Sequence, residues 1–209
     1  MILTGNEIKE QIRLGKIEIS PFTSDYVGPN SVDLRLADEM LVYDLGGTGI
    51  LDTHKECLTL DMGKCPDGSF LLMPNRLYLA RTVERIRSDY YVPIVEGRSS
   101  LGRYGIQVNM SAGVCDLGFD GTLTLELTVV HPVKIYPNQR ICQLLWVKTE
   151  GVRSMYAGRY QGQERATSSR MSWDSNDIKP PKPALARIDS SQVIDSVKSL
   201  PIGKIPNCS

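Results

Sequence analysis

The sequence predicts an all-β fold with minor helix, either a distorted β-barrel or a jelly-roll-like sandwich. Three observations carry that expectation. Short apolar runs of strand length recur between residues 31 and 147, punctuated by Gly, Pro, Asn and Asp. One run, Thr122–Val130, alternates strictly, with Leu123, Leu125, Leu127 and Val129 on one face and Thr122, Thr124, Glu126 and Thr128 on the other. A helix signature is confined mainly to the N-terminus, where Thr4-Gly5-Asn6-Glu7 reads as a capping box.

Taken in order, Ile8 and Ile12 share the inner face of a helix over residues 5–14, and Gly15 is a stop. A strand is expected around Ile17–Ile19, with a loop from Ser20-Pro21. Ser31–Leu36 sets Val32, Leu34 and Leu36 against Ser31, Asp33 and Arg35, the pattern of a strand. Residues 45–69 carry Gly46-Gly47, Gly49 and Pro66-Asp67-Gly68, the composition of loops and an edge strand. His54, Cys57 and Cys65 lie there but match no ordinary zinc spacing. Phe70–Met73 and Leu77–Val83 read as strand, turn, strand, and Tyr91–Val95 as a further strand. Val133–Ile135 and Ile141–Val147 read as a hairpin closed by Tyr136-Pro137-Asn138.

The chain has 209 residues, enough for one domain with a sizeable core. Its charges balance at 24 basic and 24 acidic residues, with a pI near 6.7, which argues against a nucleic-acid surface. No apolar run approaches the ~20 residues of a membrane span, and MILTGNEIKEQ has no signal-peptide core. Five scattered cysteines without a C-x-x-C pair favour reduced thiols in a cytoplasmic setting. The expected organisation is a β domain over 1–174, whose pattern loosens after Val147 into a polar, glycine-bearing and basic surface segment at Gly158–Arg170, followed by a Pro/Ser-rich extension over 175–209 in which Ser191–Leu200 has helical character.

The chemistry concentrates between Glu96 and Val130. Gly97-Arg98-Ser99-Ser100-Leu101-Gly102-Arg103 sets two arginines and two hydroxyls between glycines. Ser99 or Ser100 capping a short helix would leave backbone N–H groups for an anion, with guanidinium groups adding charge-assisted bonds. A serine-capped turn with solvated arginines is the competing reading. Ser111-Ala112-Gly113-Val114-Cys115-Asp116 runs into glycines at 118 and 121, which suggests a tight hairpin whose backbone can approach a ligand. Asp116 in such a turn binds either its own backbone or that ligand. Glu126 is either a solvated strand carboxylate or a working acid.

GRSSLGR, SAGVCDLGFDGTLTLEL, the early GPNSVDLRL and the late Tyr160-Gln161-Gly162-Gln163 with Thr167 and Ser169 resemble, in one order over roughly residues 1–173, the dCTP deaminases of the trimeric dUTPase-like superfamily. The resemblance implies hydrolytic deamination of dCTP to dUTP and ammonia. Zinc deaminases carry H-x-E and P-C-x-x-C; this chain has neither, and its histidines are His54 and His131. The resemblance makes Glu126 the catalytic base and then acid, with Ser99 and Arg103 around the water and phosphates. Arg98, Ser99, Ser100, Leu101, Gly102 and Arg103 would hold the triphosphate as its magnesium complex. Asp116 would accept from the deoxyribose 3′-OH, and the backbone of Ser111, Ala112, Gly113 and Val114 would read the base. Thr124 and Leu125 beside Glu126, with Gln143, Tyr160 and Gln163, complete the implied nucleotide site.

A homotrimer with shared active sites, no zinc, and neither nucleic acid nor membrane as partner are also implied. Gly113 stands where deaminases that stop at dUTP often carry a bulky residue, frequently histidine. Ala112-Gly113 is similar to the bifunctional branch, which carries dUTP on to dUMP and diphosphate, with Asp116 helping to activate the second water. The resemblance further implies Asp33 and Arg35 as scaffold and a flexible lid at about 156–173 that closes over a bound triphosphate. One departure is Arg165-Ala166, where relatives commonly have Gly-Pro, so closure of that lid is expected to differ in detail. Two other functions compete: a plain dUTPase, and a non-enzymatic interaction module on the same fold.

Overall fold

The computed structural model describes residues 1–47 and 49–174. The expectations for 175–209, a linker and a helix at Ser191–Leu200, lie outside the described residues. The chain divides into a first unit of residues 1–42 and 61–167 and a second of 43–60 and 168–209.

The first helix, α1 (Gly5–Arg13), starts where Thr4 Oγ1 accepts from Glu7 N at 3.4 Å. Ile8 is fully buried and Ile12 packs partly buried against the same core. Gly15, at φ +68°, takes the left-handed turn that ends it. The strands that follow are β1 (Glu18–Ser20), β2 (Val32–Tyr43), β3 (Thr59–Asp61), β4 (Phe70–Leu72), β5 (Tyr78–Arg87) and β6 (Tyr91–Gly97). A short helix α2 (Ser99–Gly102) precedes β7 (Ile106–Gln107), β8 (Asp120–Val129), β9 (Val133–Ile135) and β10 (Arg140–Lys148).

The first unit is a barrel-like antiparallel sheet in the order β6-β10-β2-β5-β8-β7, with β4 and β9 paired separately. β5 gives one edge to two partners in succession. Leu36–Val42 of β2 pairs with Tyr78–Thr82, and β1 pairs with Arg85–Arg87.

β2 and β5 run well past the Leu36 and Val83 limits expected from alternation. The reason is that both carry register shifts, between Leu36 and Met40 and between Arg81 and Arg85. Such bulges break the period of two without ending the strand. At the second shift Thr82 replaces a ladder bond, since its hydroxyl donates to Glu84 O at 2.8 Å and accepts from Leu123 N at 3.0 Å. Glu84 is buried there and pairs with Arg35, whose N and Nε donate at 2.8 and 2.7 Å.

The leucine face of β8 is core as expected, with Leu125 and Leu127 at 2% and 0% exposure. Trp146, Tyr78, Phe70 and Leu34 pack into the same cluster. Each such side chain contributes about 1.5–3 kcal/mol by leaving water. Cys57, Cys115 and Cys142 are free thiols, whereas Cys65 is disulfide-bonded, against the expectation of a wholly reduced set.

In the second unit Asp44 N bonds Leu58 O at 2.9 Å, and Ser169 N bonds the Tyr43 hydroxyl at 3.4 Å. Asp52 caps its own turn through His54 N. This is the loop chemistry that the composition of residues 45–69 suggests.

Candidate active site

β8 places Glu126 on the threonine face, away from the leucines. The carboxylate is half-buried, not fully solvated, and its Oε2 accepts from Met110 N at 3.0 Å. Its backbone N donates to Val108 O at 3.1 Å. Among the described residues no hydrogen bond reaches Oε1. One oxygen is therefore fixed and the other is available to a water.

The segment leading to residue 121 is not a hairpin folded on itself. It lies against β6: Gly113 O accepts from Val95 N at 2.6 Å, and Cys115 N donates to Pro93 O at 2.9 Å. The glycine at 113 has a packing reason, because a Cβ there would sit 2.9 Å from Asn109 Nδ2 and 3.0 Å from Val95 O. Ser111, Ala112 and Val114 are exposed beside Met110, the residue that binds Glu126. Asp116 is exposed; its carbonyl accepts from Phe119 N at 3.1 Å, but its carboxylate binds none of the described residues. Burial pushes the Cys115 thiol up to about 12, with Asp116 adding to the effect, so it is an inert neighbour.

The arginine–serine turn forms α2, but neither serine caps it. Arg98 occupies the cap position without a side-chain bond, and its carbonyl accepts from Leu101 N and Gly102 N at 2.9 and 3.0 Å. Leu101 is 4% exposed and anchors the turn in the core, so its side chain cannot face a ligand; the same holds for Leu125. Ser99, Ser100, Gly102 and Arg103 are exposed. Arg103 Nη1 donates back to Ser99 O at 3.2 Å.

Arg98 is held by Asp33, Nε to Oδ2 at 3.1 Å, and the same Oδ2 takes Arg140 Nη1 at 3.1 Å. Arg140 also lies 5.5 Å from the centre of the Tyr26 ring. Gln143 braces the root of the turn, accepting from Ser31 Oγ and donating to Gly97 O, each at 3.2 Å. Both ends of its amide are thus engaged within the protein.

The stretch expected as a lid is seated in the structure, as far as Thr167, along an edge of β8. Gln161 takes Asp120 N on Oε1 and gives Nε2 to Gly118 O; Gly162 N binds Asp120 O. Gln163 O accepts from Thr122 N at 2.9 Å, and its Nε2 donates to Thr122 O at 2.6 Å and Thr124 Oγ1 at 3.3 Å. Thr122 N and Glu126 N lie an even number of residues apart, so they point to the same edge of β8. Gln163 covers that edge at one and Val108 at the other. Thr124 lies between the two covered points on the strand. Tyr160 packs partly buried against the core, where its N bonds the Tyr156 hydroxyl.

The seat is close. A Cβ on Gly121 would lie 2.7 Å from Gln163 O and 3.1 Å from Gln163 N. Gly121→Ala is therefore expected to force the segment off β8, at a cost of about 1–3 kcal/mol. A thermal melt should show a drop of roughly 2–12 °C, and an unchanged midpoint would contradict this packing.

The expected residues thus fall into two groups. Glu126 gathers with Thr124, Ser111–Val114 and Gln163, while Arg98–Arg103 gathers with Gln143. Asp33 and Arg140 belong with the second group, although Asp33 reads as scaffold in the sequence. Glu39 and Arg81 belong near the first, because Glu39, itself bonded by Arg81, accepts from Arg165 and Ala166 of the return segment, residues 161–167, which runs back along β8. The signal for both was an unexplained strand charge, whose partner only the fold reveals.

A family model described as dCTP deaminase-like matches residues 2–149. A Hathewaya histolytica protein named "dCTP deaminase, dUMP-forming" is 45% identical over 163 residues, covering 77% of this chain and 91% of its own length. A protein of the same name from Cytophaga hutchinsonii is 43% identical over 162 residues, with the same coverage. The crystal structure of 2′-deoxycytidine 5′-triphosphate deaminase from Agrobacterium tumefaciens matches with a TM-score of 0.52 at 19% identity. That match covers 69% of this chain and 46% of the Agrobacterium one, and it speaks for the fold. The model match and the identity to full-length relatives together show that this chain belongs to the dCTP deaminase-like family.

Proposed function

We propose that this protein deaminates dCTP and hydrolyses the resulting dUTP to dUMP and diphosphate. The observation that carries this reading is the 45% identity, over 91% of its length, to a relative named for both outcomes. The geometry of Glu126 is consistent with it.

In the first step a water oxygen adds to cytosine C4 while Glu126 Oε1 takes its proton. Glu126 gives that proton to N3, then takes the proton of the new C4 hydroxyl and passes it to the amine. C4=O forms as the C4–N bond breaks, ammonia leaves, the uracil keeps its N3–H, and Glu126 is ionised again. The Met110 N bond holds Oε2 and so orients Oε1. General acid–base action of this kind contributes about 10²–10⁴-fold, with positioning and charge stabilisation supplying the rest. In the second step Asp116 takes the proton of a water as its oxygen bonds the α-phosphorus. The α–β P–O bond breaks, and diphosphate leaves with the bridging oxygen as dUMP forms. Arg98, Ser99, Ser100 and Arg103 hold the phosphates through both steps.

The described residues bring together no group of three or more His, Cys, Asp or Glu that could hold a metal. Magnesium is proposed to enter with the nucleotide, on its phosphate oxygens, where it would neutralise charge. Zinc plays no part in this reading.

The two residue groups are proposed to meet across subunits of a homotrimer. Large apolar side chains next to them, Tyr104, Met110, Val114 and Val130, are 54–73% exposed and suit such an interface. A deoxynucleotide substrate suits a cytoplasmic enzyme.

Incubation with dCTP, dUTP and dCMP tests the reading. Expected from dCTP are ammonia, dUMP and diphosphate, with dCMP unchanged. Accumulation of dUTP as the final product would remove the second step. Turnover of dUTP alone would leave a dUTPase.

A further inference from the structure

Glu39 lies on β2 with its side chain 12% exposed, and three groups donate to it. Arg81 Nε from β5 reaches Oε2 at 2.8 Å, Arg165 Nε reaches Oε1 at 2.7 Å, and Ala166 N reaches Oε2 at 3.4 Å. Burial alone would raise the Glu39 carboxyl, but these donors outweigh it and hold it below the usual carboxylate range. It is therefore ionised at neutral pH.

The contacts continue toward the candidate active site. Arg81 is the cross-strand partner of Thr124. Thr124 Oγ1 accepts from Gln163 Nε2 at 3.3 Å and from Thr167 N at 3.2 Å. Thr124 and Glu126 share a face of β8. Arg165 and Ala166 thus lie between Gln163 and Thr167, the two residues that bind Thr124.

We propose that Glu39, Arg81 and Arg165 form a positioning latch that seats residues 162–167 beside Glu126 and thereby helps hold the pyrimidine for reaction. Exposed ion pairs contribute little, but this carboxylate is largely out of water and takes charge-assisted bonds from two arginines. The seat itself is a property of the fold. Its effect on turnover rests on the deaminase reading above. None of the three residues touches the reacting atoms; they act through Gln163, Thr167 and Thr124.

Arg165→Met tests the latch, because the Arg165 side chain is 73% exposed and its loss leaves the core untouched. Hydrogen exchange of the Gln163–Thr167 amides is read without nucleotide, and steady-state kinetics are read with dCTP. Arg165→Met should speed exchange by about fivefold or more and raise KM for dCTP by a similar factor, with kcat changed less. Arg165→Lys should restore part of both. Unchanged exchange in Arg165→Met overturns the latch. Faster exchange with an unchanged KM overturns the positioning role. If the parent protein does not turn over dCTP, the deaminase reading falls, while exchange still decides whether the latch exists.

Discussion

Glu126→Gln is expected to abolish deamination while leaving triphosphate binding nearly intact. Glutamine keeps the size of the side chain, and its amide oxygen can still accept the Met110 N bond that now holds Oε2. The leucine face of β8 is untouched, so the fold should not change. What is lost is a group that takes a proton from water and returns it. That role contributes about 10²–10⁴-fold, so ammonia release in a single turnover should fall by at least two orders of magnitude. Nucleotide titration should give a Kd for dCTP close to that of the parent. A Gln variant that deaminates at the parental rate sinks the assignment of Glu126.

Arg98→Met should weaken dCTP binding by about ten- to a hundredfold, since each decade corresponds to about 1.4 kcal/mol and charge-assisted bonds contribute on that scale. Binding of dCMP should change far less, because it lacks the outer phosphates. The same substitution leaves Asp33 with only one of its two arginines. Asp33→Asn in the Arg98→Met background should therefore cost less than Asp33→Asn alone, because neighbours that share a partner are not additive. Competition titrations with the two nucleotides measure both effects. Equal losses for dCTP and dCMP would mean that Arg98 does not read the outer phosphates.

Much of the scaffold was legible in the residues themselves. The Thr4 cap, the alternation of β8 and the limits of β9 at Val133–Ile135 are local properties, and local chemistry fixed them. The lengths of β2 and β5 were not legible, because bulges interrupt the period on which such a reading depends. Glycines 113, 118 and 121 suggested a hairpin, but their segment pairs with β6, which no local pattern announces. The family resemblance singled out Glu126 and the arginine–serine turn as candidates. It did not give the partners that orient them: Asp33 for Arg98, Met110 N for Glu126, and Glu39 for the return segment. Those pairings join residues far apart in the chain and exist only once the sheet has formed.

Asp33 is shared by Arg98 and Arg140, so one negative charge faces two positive ones. A chain that is neutral overall thus keeps a surplus cation fixed at one spot on its surface. A diffusing polyanion feels that spot before any contact forms, so collisions are biased toward it. Dissolved ions shorten the reach of this attraction to about 8 Å at physiological ionic strength. Capture of a triphosphate at this spot, as proposed above, would therefore weaken as dissolved salt rises.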